Sequence, residues 1–214
     1  MSSRFFTDRR EAGRALAQRL RPYRGKAVVY ALPRGGVETA VETARELDAP
    51  LGLIVSRKIG HPFDPEYAVC AVTETGPMVC DENEQTSIDQ TWLRGAEAGE
   101  RAEAKRQAEL YSAGRRPVAT EGKTAVIVDD GIATGLTMHA AIAELQKQRP
   151  KQILVAVPCA PRDTVDELLE VADGVTALSN PDEYLGAVGT YYDVFPQLTD
   201  DDIMALLDEA NQIS

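Results

Sequence analysis

One stretch limits what this chain can fold into more than any other: residues 125–138, Ala-Val-Ile-Val-Asp-Asp-Gly-Ile-Ala-Thr-Gly-Leu-Thr-Met. Val126, Ile127 and Val128 are β-branched and uninterrupted, the pattern of a strand buried on both faces of a parallel sheet. Asp129 and Asp130 close the strand, Gly131 and Gly135 supply permissive backbone, and Thr134 and Thr137 supply hydroxyls. From Met138 to Lys147 good helix formers follow, Ala140, Ala141, Ala143 and Leu145 among them. A strand that stops at such a loop and feeds a helix presents free backbone N–H groups and the positive end of a helix dipole, which suits a phosphate. The two carboxylates would repel that phosphate but accept hydrogen bonds from hydroxyls. The favoured ligand therefore carries a vicinal diol near its phosphate, as a ribose 5-phosphate does. A plain structural turn is a poor alternative, because adjacent carboxylates repel each other and gain nothing by burial.

Around this unit, strand and helix patterns alternate with short connections. An amphipathic helix over residues 7–21 precedes a strand over 26–32, a helix over 37–47 and a strand over 51–56. Residues 57–67 read as a Gly/Pro-rich loop, 68–81 as a hairpin turning at Thr75-Gly76-Pro77, and 88–111 as a long polar helix. Strands over 152–158 and 175–178 flank a helix over 163–172, and Thr199 to Asp202 cap a last helix over 203–210. The fold expected is α/β: a central, mostly parallel sheet with helices on both faces, in one domain spanning 1–214. In such sheets ligands collect beyond the carboxyl ends of the strands.

The net charge of −11 argues against a nucleic-acid groove built on bulk charge. No apolar run reaches membrane-spanning length and residues 1–6 carry no secretory core, so a cytoplasmic protein is expected. Cys70, Cys80 and Cys159 have no metal-ligand spacing and are expected as reduced thiols.

The segment from Asp129 to Met138 resembles the PRPP-binding motif of the type I phosphoribosyltransferases, in the version seen in adenine enzymes. The resemblance covers roughly residues 26–195. It implies that Asp129 and Asp130 hold the ribose hydroxyls, and that Gly131, Ile132, Ala133, Thr134, Gly135, Leu136 and Thr137 cradle the 5-phosphate. It also implies a pyrophosphate site at Arg34, Gly35 and Gly36, where two glycines permit a sharp turn and the guanidinium fits phosphate oxygens. Arg57 and Lys58, read as the end of the second strand, join that site; a solvated basic pair is the bland alternative. Lys58 is placed with Asp129 and Asp130 among the catalytic candidates. Mg²⁺ is the expected cofactor, held by ligand oxygens and water, with Asp129 or Asp130 touching at most its water shell. No protein metal site is assigned.

The segment 180–195 resembles the hood of purine-type members, with Tyr184, Val188 and Tyr191 as base-binding candidates; aromatic core is an equal alternative for each. Residues 82–121 fall where relatives keep a lid, and the charged helix there reads as a lid, a dimer arm or scaffold, with Arg115 and Arg116 more simply a solvated pair. His61 and His139 read as structural. In hypoxanthine-guanine relatives the position of Ala133 is an aspartate, and the lysine-bearing loop of orotate enzymes is not evident, so the acceptor stays open. The implied activity is transfer of ribose 5-phosphate from PRPP to a nitrogenous, purine-like base with release of pyrophosphate. A PRPP- or nucleotide-sensing regulator on the same fold is the alternative. Partners expected are PRPP and the base, without nucleic acid or membrane; a homodimer is allowed. A dinucleotide or P-loop protein is disfavoured because neither glycine signature appears.

Overall fold

The computed structural model describes residues 6–181 and 184–211. The leader reading at residues 1–5, and residues 182–183 and 212–214 of the hood and terminal segment, lie outside the described residues.

The first helix among the described residues is α1 (Arg9–Leu20), capped by the Asp8 carboxylate, which accepts from the Glu11 N–H at 2.7 Å. Strand β1 (Ala27–Ala31) is buried along its whole length and leads through Leu32-Pro33-Arg34 into helix α2 (Gly35–Leu47). Strand β2 (Leu51–Leu53) follows. After an antiparallel excursion the chain returns as strand β6 (Thr124–Val128), helix α5 (Leu136–Gln146), strand β7 (Gln152–Cys159), helix α6 (Arg162–Leu169), strand β8 (Gly174–Ser179) and helix α7 (Asp200–Asn211). Thr199 and Asp202 cap α7 reciprocally: the Asp202 N–H donates to Thr199 Oγ1 at 3.2 Å and the Thr199 N–H donates to Asp202 Oδ2 at 2.8 Å.

The five-stranded central sheet has the order β2-β1-β6-β7-β8, and every pair in it is parallel. Val29 lies opposite Val126, and Val126 opposite Leu154. Two apolar layers sandwich the sheet. Leu16, Leu20, Val37, Val41, Leu47, Ile203 and Leu207 from α1, α2 and α7 cover one face, and Met138, Ile142, Leu145, Val165 and Leu168 from α5 and α6 cover the other. The expected α/β architecture with helices on both faces is therefore present. Because α2 and α5 leave β1 and β6 toward opposite faces, the gap between these neighbouring strands is the topological switch point, where open α/β sheets bind ligands.

The excursion differs from the sequence reading. Residues 57–67 are not a loop: strand β3 (Ser56–His61) pairs antiparallel with strand β4 (Asp64–Thr73), which pairs in turn with strand β5 (Val79–Cys80). The first half of β4 is exposed on both faces, so the hydrophobic alternation that marks a strand is missing there. The expected turn near Thr75-Gly76-Pro77 does form, closed by the Gly76 N–H donating to Thr73 Oγ1 at 2.8 Å. A short helix α3 (Glu82–Ser87) was not foreseen; helix α4 (Gln90–Ser112) was. Among the described residues no helix is long and apolar enough to cross a membrane.

The expectation of three reduced thiols is also corrected. Cys70 and Cys80, directly opposite each other on β4 and β5, are joined in a disulfide, and Cys159 is free and buried. Register, invisible in the sequence, brings them together. Alkylation of the unfolded protein without reductant is expected to add one label, at Cys159. Three labels, counted by mass spectrometry, would restore the reduced reading.

Candidate active site

At the switch point two loops meet. The Leu32 N–H donates to the Val128 carbonyl at 3.1 Å, tying the ends of β1 and β6 together. Gly35 and Gly36 form the first turn of α2 and neither has a positive φ, so the sharp turn the sequence suggested is not their role. Their role is close approach. A Cβ at Gly35 would lie 1.8 Å from Asp130 Oδ2, and one at Gly36 would lie 2.7 Å from Asp129 Oδ1 and 2.9 Å from the Val128 carbonyl. Only hydrogen at both positions lets the Arg34 loop lie against the acid pair. Arg34 itself is exposed, at the N-cap position of α2, after a cis peptide from Pro33.

The loop from Gly131 to Gly135 is pinned at both ends. The Ile132 N–H donates to the Cys159 carbonyl at 2.9 Å, and a Cβ on Gly131 would meet Val188 at 2.6 Å and Cys159 Sγ at 2.8 Å. Gly135 caps α5 with φ of 78°, a left-handed conformation that glycine adopts freely. Ala133 and Thr134 are exposed and Thr137 half-buried, and the first-turn amides of α5, which lack intrahelical acceptors, follow directly on this loop.

Asp129 accepts from the Asp130 N–H at 2.8 Å, and its carboxyl is pushed well above the usual range, first by burial and then by the neighbouring Asp130. Burial raises Asp130 too, but a group missing from the sequence reading opposes it: Arg9, on α1. The Arg9 Nε lies 2.7 Å from Asp130 Oδ2, its Nη1 donates to the Pro196 carbonyl at 2.8 Å, and its guanidinium sits 3.7 Å from the centre of the Phe195 ring. Tyr192, also unforeseen, donates its hydroxyl to the Asp130 carbonyl and stacks on Phe195 with centroids 4.9 Å apart. Burial above all, then Asp130, pushes the Tyr192 phenol upward, and the same causes push the Cys159 thiol to about 12. No short-range signal could have found Arg9. It stands in Asp8-Arg9-Arg10-Glu11, which reads as a solvated charged turn.

Arg57 and Lys58 are placed otherwise than expected. They lie within β3 rather than at the end of a central strand, Arg57 with Glu100 at 2.8 Å and Lys58 with Glu66 at 2.8 Å. Tyr191 is a second correction: its ring is fully buried and stacks on Tyr184 with centroids 5.3 Å apart, so it builds the floor of the hood and has no free face for a base. Tyr184 and Val188 are only half-buried, and Val188 overlies Gly131. Helix α4 packs against its neighbours: Leu93, Ala104 and Tyr111 are buried, Arg101 donates to the Thr73 and Gly76 carbonyls at 2.8 Å, and Tyr111 donates to Asp200 at 2.6 Å. Arg115 pairs with Asp208 on α7 and so is no solvated cation. Burial holds the His139 imidazole below its ordinary range.

A parallel sheet of this order, with an acid pair and a helix N-terminus at its switch point, is the type I phosphoribosyltransferase fold. The chain belongs to the phosphoribosyl transferase domain family, whose model matches residues 7–194. It is 42% identical over 212 residues to proteins of two Mycobacterium tuberculosis strains, CDC 1551 / Oshkosh and H37Rv, each named "Putative phosphoribosyl transferase". That match takes in 98% of this chain and 48% of theirs, so the chain spans about half the length of these relatives. The crystal structure of a Thermus thermophilus protein, TT1426, is similar over 95% of this chain and 98% of that one, with 41% identity and a TM-score of 0.79.

Proposed function

We propose that the protein transfers a 5-phosphoribosyl group from PRPP to a ring nitrogen of a purine-like base. The observation that carries the reading is the contact of Gly35 and Gly36 with Asp130 and Asp129, which sets the backbone of the exposed Arg34 loop against the acid pair. Asp129 and Asp130 accept from the ribose hydroxyls, the 131–137 loop holds the 5-phosphate, and Arg34 faces the diphosphate. The C1–O bond to the diphosphate breaks as the C1–N bond forms, and pyrophosphate leaves with the bonding electrons. The acid pair favours the positive charge that develops at C1. Since Ala133 offers no carboxylate, the proton of the ring nitrogen passes to solvent.

Two adjacent carboxylates, one already paired with Arg9, form a donor set suited to an ion held mainly by substrate oxygens. Among the described residues no group of three or more His, Cys, Asp or Glu could hold a metal. Mg²⁺, when bound, would neutralise charge on the diphosphate.

One observation favours the regulatory alternative. Arg57 and Lys58 are each neutralised by a carboxylate, which weakens the cationic field expected to stabilise the leaving group. Calorimetric titration with PRPP and Mg²⁺, followed by pyrophosphate release across a panel of bases, separates the two. Release with one base supports the transferase, and binding without release supports the sensor. Asp130→Asn is expected to weaken PRPP binding at least tenfold while changing pyrophosphate affinity less than threefold, on the scale of a charge-assisted hydrogen bond. Equal losses for both ligands would remove the diol role.

A further inference from the structure

We propose that Arg9 is a positioning residue for the acid pair: it occupies one oxygen of Asp130 and thereby aims the other at a ligand hydroxyl. The proposal rests on the diol reading above and deepens it.

Asp130 is gripped at two points. Arg9 Nε takes carboxylate Oδ2 at 2.7 Å, and the Tyr192 hydroxyl donates to the Asp130 backbone carbonyl. The two grips are one unit, because Phe195 lies between them, its ring against both the guanidinium and Tyr192. Arg9 is only 4% exposed, and its remaining reach is spent on the Pro196 carbonyl at 2.8 Å. Oδ2 is therefore enclosed by Arg9 on one side and Gly35 on the other. The Asp130 side chain also interacts with the neighbouring Asp129 carboxyl, and Oδ1, the oxygen outside the Arg9 grip, is the one left for a ligand.

Stability alone is a weak reason for such an arrangement. A buried ion pair rarely outperforms well-packed apolar residues of the same volume, since desolvation offsets most of the attraction. What a forked guanidinium provides, and an apolar residue does not, is a fixed carboxylate direction. Selectivity for hydroxyls depends on that direction, because a hydrogen bond weakens steeply once its angle falls away from linear.

The route from α1 to the site is short and rigid. The Phe6 N–H donates to the Tyr191 carbonyl at 3.0 Å, and the Asp193 and Val194 N–H groups donate to the Phe6 and Thr7 carbonyls at 2.9 Å. Behind Arg9, Gly13 lets α1 lie against α2, where a Cβ would come within 2.4 Å of the Thr39 carbonyl. The arginine is thus held from both ends of its helix's first turns.

The test compares the affinities of ribose 5-phosphate, its 2-deoxy and 3-deoxy forms, and pyrophosphate for the intact chain and for Arg9→Met, Arg9→Lys and Phe195→Leu, each checked for folding by thermal melting. The wild-type protein is expected to prefer ribose 5-phosphate to at least one deoxy form by about 10- to 100-fold. In Arg9→Met that preference is expected to fall below about threefold, with pyrophosphate affinity unchanged. Arg9→Lys, which keeps the charge but not the fork, and Phe195→Leu are expected to lie between. A loss shared equally by all four ligands would be general damage and would overturn the positioning role, as would wild-type selectivity in folded Arg9→Met. Should that variant not fold, wild-type selectivity in Arg9→Lys overturns it instead. A wild-type protein that prefers neither ribose nor deoxyribose refutes the diol reading itself, a separate outcome.

Discussion

Gly35→Ala is expected to abolish measurable PRPP binding and to lower the melting temperature. The added methyl would sit 1.8 Å from Asp130 Oδ2, far inside contact distance. Neither side can withdraw cheaply. Asp130 is held by Arg9 and Tyr192, and Gly35 opens a helix whose next residues, Gly36 and Val37, are buried against the sheet. Overpacking of this kind costs about 1–3 kcal/mol, and in a domain of this length each kcal/mol moves Tm by roughly 2–4 °C. The larger effect falls on the ligand, since the methyl either displaces the carboxylate or reopens the gap between the two loops. Gly95→Ala and Gly99→Ala in α4 serve as controls. A Cβ at either meets nothing within 4 Å, and removing a mid-helix glycine is expected to stabilise by roughly 0.5–1 kcal/mol. Calorimetry and melting on the three variants decide the matter. PRPP binding within threefold of wild type in Gly35→Ala would show that the two loops can part.

Asp129→Asn is expected to work in opposite directions on stability and binding. The Asp129 carboxyl is raised above its ordinary range by burial first and by Asp130 second, so the folded protein holds this proton to higher pH than the unfolded chain. Stability linked to the group is complete below the ordinary carboxylate range and is lost as pH climbs through the raised folded value. Above that raised value the native state carries an unfavourable buried charge. The asparagine side chain can still accept from the Asp130 N–H through its carbonyl oxygen, without that charge. Melting curves between pH 4 and pH 8 are expected to converge at the acid end and separate toward neutrality, with the variant higher by several degrees. Subtracting them cancels other groups, such as Glu209, held down to about 2 by Arg10 and Arg45, and His139. PRPP affinity should fall at the same time. A variant less stable than wild type at pH 8 would mean that the buried carboxylate has compensating partners in solution.

The central sheet was legible because its strands are buried on both faces, so β1, β6 and β7 appear as apolar runs that little else in a chain this charged could be. The loop after β6 was legible for a related reason, since strand, acid pair and helix start lie within a dozen or so consecutive residues. Long-range assembly was not. Arg9 reaches Asp130 across 121 residues and Pro196 across 187, and no local pattern records either. Tyr192 and its neighbour Tyr191 look alike in sequence; a one-residue difference in facing decides which one touches the acid loop. The β3–β4 hairpin escaped notice because solvent lies on both sides of its tip, with Phe63 almost wholly exposed. Arg57 and Lys58 belong to this hairpin and not to the end of a central strand.

The pairing of Phe6 with residues 191–193 bears on how the protein comes off the ribosome. Arg9 is synthesised 187 residues before the Pro196 carbonyl that steadies it. At about 5–20 residues per second, the nascent polypeptide spends many seconds with α1 made and its docking partners still untranslated. A fragment that stops short of Tyr192 lacks two of the groups that steady Arg9 and Asp130. The grip on Asp130 is thereby completed only once residues 192–196 have been translated.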